Sequence, residues 1–216
     1  MTRFAFILHP LDVSDIARKY AFTRRLPTSW VEAALNVMSP QDCGRILGVR
    51  SPTGAETEGW FVGCPLTAGQ LLNGNAKRCT DKIVQACNVA ANLGAEIVGL
   101  GAFTSVVGDK GFTIAERVKI GVTTGNSYTT ATGLEGTLLA AERMGHDPRQ
   151  STAAILGATG SIGKIAAKLL APQVGRLVLV GRKRETLEAV LADLNGAGNV
   201  AVETDLTAGL READMI

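Results

Sequence analysis

The stretch that most constrains the fold is residues 152–163, where a short apolar strand passes through a glycine-punctuated turn into a helix with an apolar stripe. The turn has the spacing GxxGxxG, with Thr159 in place of the middle glycine of the GxGxxG pattern. Glycines at this spacing allow a sharp bend, close approach of backbone to a pyrophosphate, and tight packing of helix on strand. Because a helix N-terminus also presents free N–H groups and partial positive charge, we predict a dinucleotide-binding βαβ unit. Its predicted cofactor-binding residues are Gly157, Thr159, Gly160, Ser161, Ile162 and Gly163.

Basic residues follow the second strand of this unit. Residues 176–181 have the mainly apolar sequence of a buried parallel strand, and Arg182, Lys183 and Arg184 come directly after it. NAD enzymes usually place a carboxylate there for the ribose 2′-hydroxyl, whereas basic side chains accommodate the 2′-phosphate of NADP. We therefore predict NADPH as the cofactor, with Arg182 and Lys183 at its phosphate. The alternatives are a plain tight turn for the glycines and a solvated helix start for the basic residues.

The composition is typical of a well-buried α/β protein. Of the 216 residues, 46% are hydrophobic and 19% are charged, and a net charge of +2 gives no reason to expect nucleic-acid binding. The four cysteines contain no CxxC pair and there are two histidines, so we predict no metal site and reduced, mostly buried thiols. Since neither a signal peptide nor an apolar run of membrane-spanning length is visible, we expect a cytoplasmic protein without a transmembrane segment.

A polar segment at residues 146–150 separates two parts of the predicted α/β fold. We predict an N-terminal α/β domain on the substrate side, residues 1–147, followed by the first half of a Rossmann NADP-binding domain, residues 148–216. In the first part, the apolar patterns predict strands at 4–8, 46–50, 57–63, 96–103 and 118–126, and helices at 12–26, from Thr28, at 76–93 and at 127–144. In the second part, the third strand is expected at 199–203 and a fourth begins at Asp214, so we expect this domain to be incomplete.

Polar residues follow two of the predicted strands. In open parallel sheets ligands gather at the carboxyl ends of strands, so the substrate-side candidates are Thr104, Ser105, Thr124, Asn126 and Ser127. Helix capping by Asn126 or Ser127 is an equally good explanation of those two residues. A separate basic cluster, Arg18, Lys19, Arg24 and Arg25, is either a solvated helix face or a docking patch for an acidic partner.

These motifs carry a family resemblance. The stretches occur in order at residues 63–66, 101–105, 124–129 and 157–163. Together they resemble the long-chain acyl-[acyl-carrier-protein] reductase family of cyanobacteria and its bacterial relatives, some of which are labelled shikimate-dehydrogenase-like. The resemblance covers essentially the whole chain, and Arg182 also matches the basic residue that ends the second strand in that family. The glycine-rich motif is common to many families, whereas the stretches at 101–105 and 124–129 are more particular to this one.

The resemblance implies an NADPH-dependent enzyme that reduces a long-chain fatty acyl thioester, on carrier protein or CoA, to a fatty aldehyde. In that family a cysteine first takes the acyl group as a thioester, and it lies beyond the position that corresponds to Ile216. We therefore expect this chain to be an inactive N-terminal fragment whose catalytic residues are unknown. Asp205, after the third strand, is expected either to contact the adenine amino group or to cap the following helix.

Two other functions remain open from the sequence. A shikimate- or quinate-dehydrogenase-like NADP oxidoreductase requires a Lys–Asp catalytic pair, for which Lys77 and Asp81 are possible members, although their i, i+4 spacing equally suits a surface ion pair. A non-catalytic nucleotide-binding module would use the Rossmann unit as a binding platform alone.

Overall fold

The computed structural model describes residues 2–109 and 111–216. The chain divides into two compact α/β units, Met1–Gly125 and Asn126–Ile216. This confirms the predicted fold class, an α/β chain whose second part is Rossmann-like. Within the described residues, no helix combines the length and the apolar character needed to cross a membrane.

The first unit is a five-stranded sheet with helices. Its elements are β1 (Phe4–Leu8), α1 (Val13–Lys19), a 3₁₀ turn (Ala21–Arg25), α2 (Thr28–Val37), β2 (Gln41–Arg50), β3 (Glu56–Gly63), α3 (Ala68–Asn73), α4 (Ala76–Asn92), β4 (Ile97–Leu100), a second 3₁₀ turn (Ala102–Ser105), α5 (Phe112–Arg117) and β5 (Gly121–Thr123). The strand order is β2-β3-β1-β4-β5. All neighbours are parallel except β2, which pairs antiparallel with β3 through two register shifts. The carboxyl ends of β1, β3 and β4 therefore meet at one edge of the sheet.

Helix α4 supplies most of the helical side of the first core. Its residues Ile83 and Cys87 are fully buried, as are Ile7 of β1 and Val62 of β3. The helix predicted at 76–93 is thus present, and one face of it packs into the core. Burial of these aliphatic groups removes apolar surface from water, which is the main favourable contribution to folding.

Lys82 joins helix α4 to the end of helix α2. Its ammonium donates hydrogen bonds to the backbone carbonyls of Asn36 (3.1 Å) and Met38 (2.6 Å), and the residue is only 8% exposed. The last carbonyls of a helix have no partner within the helix, and a cation there also interacts favourably with the helix dipole. Lys82 therefore fixes the position of α2 against the core.

The second unit is a parallel sheet of the dinucleotide-binding type. Its elements are α6 (Asn126–Arg143), a 3₁₀ turn (Pro148–Gln150), β6 (Thr152–Leu156), α7 (Ser161–Leu170), a 3₁₀ turn (Ala171–Gln173), β7 (Arg176–Val180), α8 (Arg184–Asp193), β8 (Val200–Glu203) and α9 (Leu206–Arg211). Strands β6, β7 and β8 are parallel neighbours in that order. Met215 forms a parallel bridge with Ala153 on the other side of β6. The spatial order, third strand, second, first and then fourth, is that of a Rossmann half.

The division between the units differs from the predicted one. Helix α6 belongs with the second unit, because Leu134, Leu138 and Ala141 pack into the core of that unit. The chain divides after Gly125, whose φ is +75°, instead of in the polar segment at 146–150. That segment is a capped 3₁₀ turn, in which the Asp147 carboxylate accepts a hydrogen bond from the Arg149 amide.

Three predicted elements are shorter in the structure. The helix expected up to Pro27 ends at Lys19, because Tyr20 leaves helical geometry (φ −123°, ψ 81°) and a 3₁₀ turn follows. The strand expected at 96–103 ends at Leu100, where the chain turns and Ala102 takes a φ of +46°. The strand expected at 118–126 is confined to residues 121–123. Helix α3 was not predicted, although Thr67 and Gln70 form a capping box that the sequence spells as T-x-x-Q.

We predict that Lys82→Met lowers the free energy of unfolding by about 1–3 kcal/mol, since the half-buried carbonyls of Asn36 and Met38 lose the ammonium donor. Lys77→Met, on the exposed side of the same helix, is the matched control and should change stability by at most about 0.5 kcal/mol. Chemical denaturation followed by circular dichroism measures both values. Equal effects of the two substitutions would contradict the role assigned to Lys82.

Candidate functional site

The glycine-rich turn has the geometry of a phosphate-binding loop. Gly157 ends β6 with φ +78°, a backbone conformation that favours glycine. Its N–H donates to the carbonyl of Val180 (2.9 Å), and its own carbonyl accepts from the Gly160 amide (2.9 Å). The turn is therefore held to the end of β7 on one side and closed on itself on the other. This places it at the carboxyl edge of the sheet, where the Rossmann fold binds its ligand.

Helix α7 approaches the turn too closely for any side chain at Gly163. A Cβ atom built there would lie 2.5 Å from the Gly157 carbonyl oxygen and 2.9 Å from Cα of Ala158. One at Gly160 would lie 3.2 Å from the same oxygen. Gly160 begins the helix without a side-chain cap, so the first-turn amides face the turn with no side chain competing for them. Backbone amides at a helix N-terminus can bind phosphate, and binding of a dinucleotide pyrophosphate by this cradle stays a prediction.

Asn126 lies beside this turn, where the sequence did not place it. Its side-chain NH2 group donates a hydrogen bond to Oγ of Ser161, 3.1 Å away. Its backbone carbonyl accepts a hydrogen bond from the Thr130 hydroxyl at 2.8 Å. Asn126 is the first residue of α6 and Ser161 the first of α7. The hydrogen bond thus couples the start of the two helices, and it assigns Asn126 to the dinucleotide turn. Ser127 is exposed on the same first turn of α6.

Arg182 and Lys183 are exposed at the carboxyl end of β7. Neither forms an ion pair with any residue that the structure describes, whereas Arg184 lies 3.9 Å from Glu188. The nearby Glu203 accepts hydrogen bonds from the Thr204 and Asp205 amides, which lower the pKa of its carboxyl group. The two basic side chains are therefore uncommitted, as a 2′-phosphate site requires.

Asp205 is the N-cap of helix α9. Its carboxylate accepts a hydrogen bond from the amide of Ala208 at 2.9 Å. The capping alternative is thus observed in the structure, and contact with an adenine amino group stays a prediction. The residue is exposed, so one carboxylate oxygen can cap the helix while the other faces solvent.

The polar residues after β4 have mainly structural contacts. Thr104 is fully buried, and its hydroxyl donates to the Gly101 carbonyl at 2.7 Å; the expectation that it faces a ligand is therefore wrong. The Ser105 hydroxyl donates to the Ala102 carbonyl at 2.7 Å but is half-buried and retains acceptor capacity. Thr124 is half-buried after β5. Ser105 and Thr124 stay substrate-side predictions of the first unit.

His9 is the residue at these strand ends that the sequence analysis missed. Its Nδ1 donates to the Pro10 carbonyl (2.9 Å), and its Nε2 accepts a hydrogen bond from the Phe103 amide (3.2 Å). The imidazole therefore ties the end of β1 to the turn after β4, next to the unusual backbone of Ala102. The contact joins residues 94 positions apart, and only the position of His9 directly after a strand could have signalled it.

A cavity of about 210 Å³ lies at the ends of β1 and β3. Its wall includes Leu8, His9, Cys43 and Cys64. Burial raises the pKa of the Cys64 thiol to about 12, and it likewise raises that of Cys87 to about 12. Cys79 is also buried, as expected, but Cys43 is exposed on the edge strand β2. Across residues 2–109 and 111–216, no group of His, Cys, Asp and Glu side chains is arranged to hold a metal ion.

The chain is similar in sequence to known proteins. No protein-family model matches the chain. It is 32% identical over 178 residues to the long-chain acyl-[acyl-carrier-protein] reductase of Synechococcus elongatus, a match that covers 78% of this chain and 51% of the reductase. It is 37% identical over 134 residues to aminotransferase PigE of a Serratia species, covering 62% of this chain and 16% of PigE. The similarity confirms the resemblance to the acyl-[acyl-carrier-protein] reductase family, and the chain spans about half the length of that relative.

We predict that Gly163→Ala lowers the free energy of unfolding of the second unit by about 1–3 kcal/mol, because the added methyl overpacks the turn. Gly136→Ala is the matched control. Gly136 lies within α6 with nothing within 4 Å of an added Cβ, so this change should stabilise by about 0.5–1 kcal/mol. Denaturant titration distinguishes the opposite signs. A stabilising effect of Gly163→Ala would show that the close approach is unimportant.

Proposed function

We propose that the protein reduces a long-chain fatty acyl thioester, carried on acyl-carrier protein, to a fatty aldehyde with NADPH, and that the second unit holds the cofactor. The observation that carries the proposal is the backbone cradle between Gly157 and Gly163 with uncommitted Arg182 and Lys183 at the next strand end. The similarity to an acyl-[acyl-carrier-protein] reductase supports the reaction class. When bound, NADPH supplies the hydride that reduction of a thioester requires.

Each part of the second unit has a distinct task in this proposal. The first-turn amides of α7 bind the pyrophosphate, and the hydrogen bond from Asn126 to Ser161 keeps the start of that helix in place. Arg182 binds the 2′-phosphate, for which its planar guanidinium is well suited, and Lys183 adds charge. Asp205 caps α9 next to the adenine side. These roles are electrostatic and positional, and none of these side chains takes part in bond making.

An acyl-accepting thiolate is not assigned to any cysteine of this chain. Cys64, Cys79 and Cys87 are buried with raised pKa values, so they stay protonated and unreactive at neutral pH. Cys43 is exposed on a strand of the first unit, outside the dinucleotide-binding unit. The proposal therefore gives the chain the binding of cofactor and substrate, and leaves the nucleophile unassigned.

The alternatives receive less support from side-chain contacts. A shikimate-dehydrogenase-like pair of Lys77 and Asp81 is not formed, because the Asp81 carboxylate binds the Arg117 guanidinium at 2.7 Å. Aminotransferase chemistry receives little support, because the match to aminotransferase PigE covers 16% of that protein. A non-catalytic nucleotide-binding module fits the same cradle, and only a turnover measurement separates it from a reductase.

We predict that Arg182→Ala weakens NADPH binding by about 1.5–3 kcal/mol, the range for a hydrogen bond to a charged group, and leaves NADH binding unchanged. Arg176→Ala, at the opposite end of the same strand, is the control and should change neither affinity. Titration of cofactor fluorescence gives the dissociation constants of the two variants for NADPH and for NADH. Equal affinity of the unmodified protein for NADPH and NADH would remove the argument for a phosphate site.

The reaction itself is tested with the protein expressed from its complete open reading frame. Palmitoyl-carrier protein and NADPH should yield hexadecanal with stoichiometric loss of NADPH, and shikimate with NADP should give no reduction. Turnover of shikimate would instead favour the shikimate- or quinate-dehydrogenase-like oxidoreductase, and cofactor binding without either turnover would favour the binding module. Charge reversal at Arg18, Lys19, Arg24 and Arg25 should impair use of the carrier-protein substrate and, by a smaller factor, use of palmitoyl-CoA, because only the carrier protein adds an acidic surface to the contact. Equal losses with the two substrates would contradict a docking role for these residues.

A further inference from the structure

An apolar groove runs between helix α1, the following 3₁₀ turn and helix α2. It encloses about 360 Å³, and its wall includes Phe22, Trp30, Val31 and Ala34. Phe22 and Trp30 are each 67% exposed. With the apolar wall of the groove these two side chains form a contiguous exposed apolar patch, and such patches mark ligand or partner sites on soluble proteins.

The groove adjoins the cavity at the ends of β1 and β3. Four side chains, Ile16, Tyr20, Leu35 and Met38, line both spaces. The two adjoining spaces therefore run from Trp30 on one side to the wall formed by His9, Cys43 and Cys64 on the other. The cavity of about 210 Å³ and the groove of about 360 Å³ together reach the range of small-molecule sites, roughly 300–1,000 Å³.

Basic groups surround the outer part of this space. Arg18 and Arg24 line an adjoining hollow of about 450 Å³, which shares Thr23 and Leu26 with the groove. Lys19 lines the cavity itself, as does Asp15, whose carboxylate pairs with Arg18 at 3.3 Å. Neither Arg24 nor Arg25 has an ion pair within the described part of the chain. The four basic side chains outnumber the one acidic side chain, Asp15, so the rim carries a net positive charge.

We propose that the groove and the cavity hold the acyl chain of a phosphopantetheine thioester, with the phosphate of the pantetheine arm at the basic rim. The identification of the ligand rests on the proposed function. An apolar channel with a positive rim matches an alkyl chain attached to an anionic arm. A helix of a partner protein, about 10 Å across with side chains, is too wide for the inner cavity, whereas a single alkyl chain can enter it.

The chain contains two reporters for this site. Trp30 lies in the groove, while the other tryptophan, Trp60, is only 7% exposed. Cys43 lines the cavity, and it is the exposed cysteine among four. Palmitoyl-CoA bound as proposed shifts Trp30 emission to shorter wavelength and slows alkylation of Cys43 by N-ethylmaleimide. Trp30→Phe and Cys43→Ser remove the respective signals and identify their source.

The experiment titrates the 216-residue chain with palmitoyl-CoA below its micellar concentration, and with CoA alone. We expect both reporters to respond to palmitoyl-CoA and neither to CoA. Ala34→Phe, which fills the groove, should weaken binding by about tenfold or more. Ala33→Phe, on the adjacent exposed position of α2 outside the groove, should stay within about twofold. Arg24→Glu should weaken palmitoyl-CoA binding more than the distant Arg50→Glu.

Several outcomes would overturn the proposal. They are silence of both reporters, an equal response to CoA alone, equal effects of the two phenylalanine substitutions, or a response that accompanies dimerisation in light scattering. Failure here is distinguishable from failure of the proposed function. If the protein from the complete reading frame makes hexadecanal with a KM that Ala34→Phe does not change, the reductase stands and this site is wrong. Binding without aldehyde formation supports the acyl site and contradicts the reductase.

Discussion

The close approach of helix α7 to the end of β6 is the constraint on which the dinucleotide site depends. With 2.5 Å between a hypothetical Cβ at Gly163 and the Gly157 carbonyl, only a bare backbone allows the helix to start where it does. That position determines where the first-turn amides point and where Ser161 meets Asn126. The Val180 carbonyl, which accepts from the Gly157 amide, connects the same turn to the strand that presents Arg182. The close approach of α7 to this turn thus helps to set the geometry of both regions that we propose to bind the dinucleotide.

The first unit has a similar sheet, but different groups lie at the ends of its strands. Its parallel strands also end at a common edge, but the groups there are a satisfied histidine, a buried threonine hydroxyl and an apolar cavity. The cavity wall also contains the thiols of Cys43 and Cys64, and Cys64 is buried with a raised pKa. We propose that this edge holds a substrate. In the function that we propose, the second unit therefore binds the cofactor and the first unit binds the substrate.

The sequence predicts the second unit better than the first, and the reason is the range of the determining contacts. The strand, turn and helix at 152–170 are determined by contacts between residues close together in the sequence. The spacing of the glycines therefore predicts them directly. His9 and Phe103 are 94 residues apart, so no local pattern reveals that the imidazole holds the turn at Ala102. The sequence predicts that Thr104 contacts a substrate because its side chain is polar. In the structure its hydroxyl donates a hydrogen bond to the Gly101 carbonyl within the same turn. Helix α6 joined the second unit through packing that only the folded chain defines.

Strand β2 has a consequence for the protein in concentrated solution. It lies at the margin of the first sheet, reverses the direction of its neighbours and is interrupted by two register shifts. The opposite margin, β5, is only three residues long. A regular, long margin would offer unpaired amides to the sheet of another molecule, which is how soluble proteins begin to form fibrils. Because β2 is irregular and β5 is short, neither edge offers such a template. The aromatic groove can therefore stay exposed without the sheet starting aggregation.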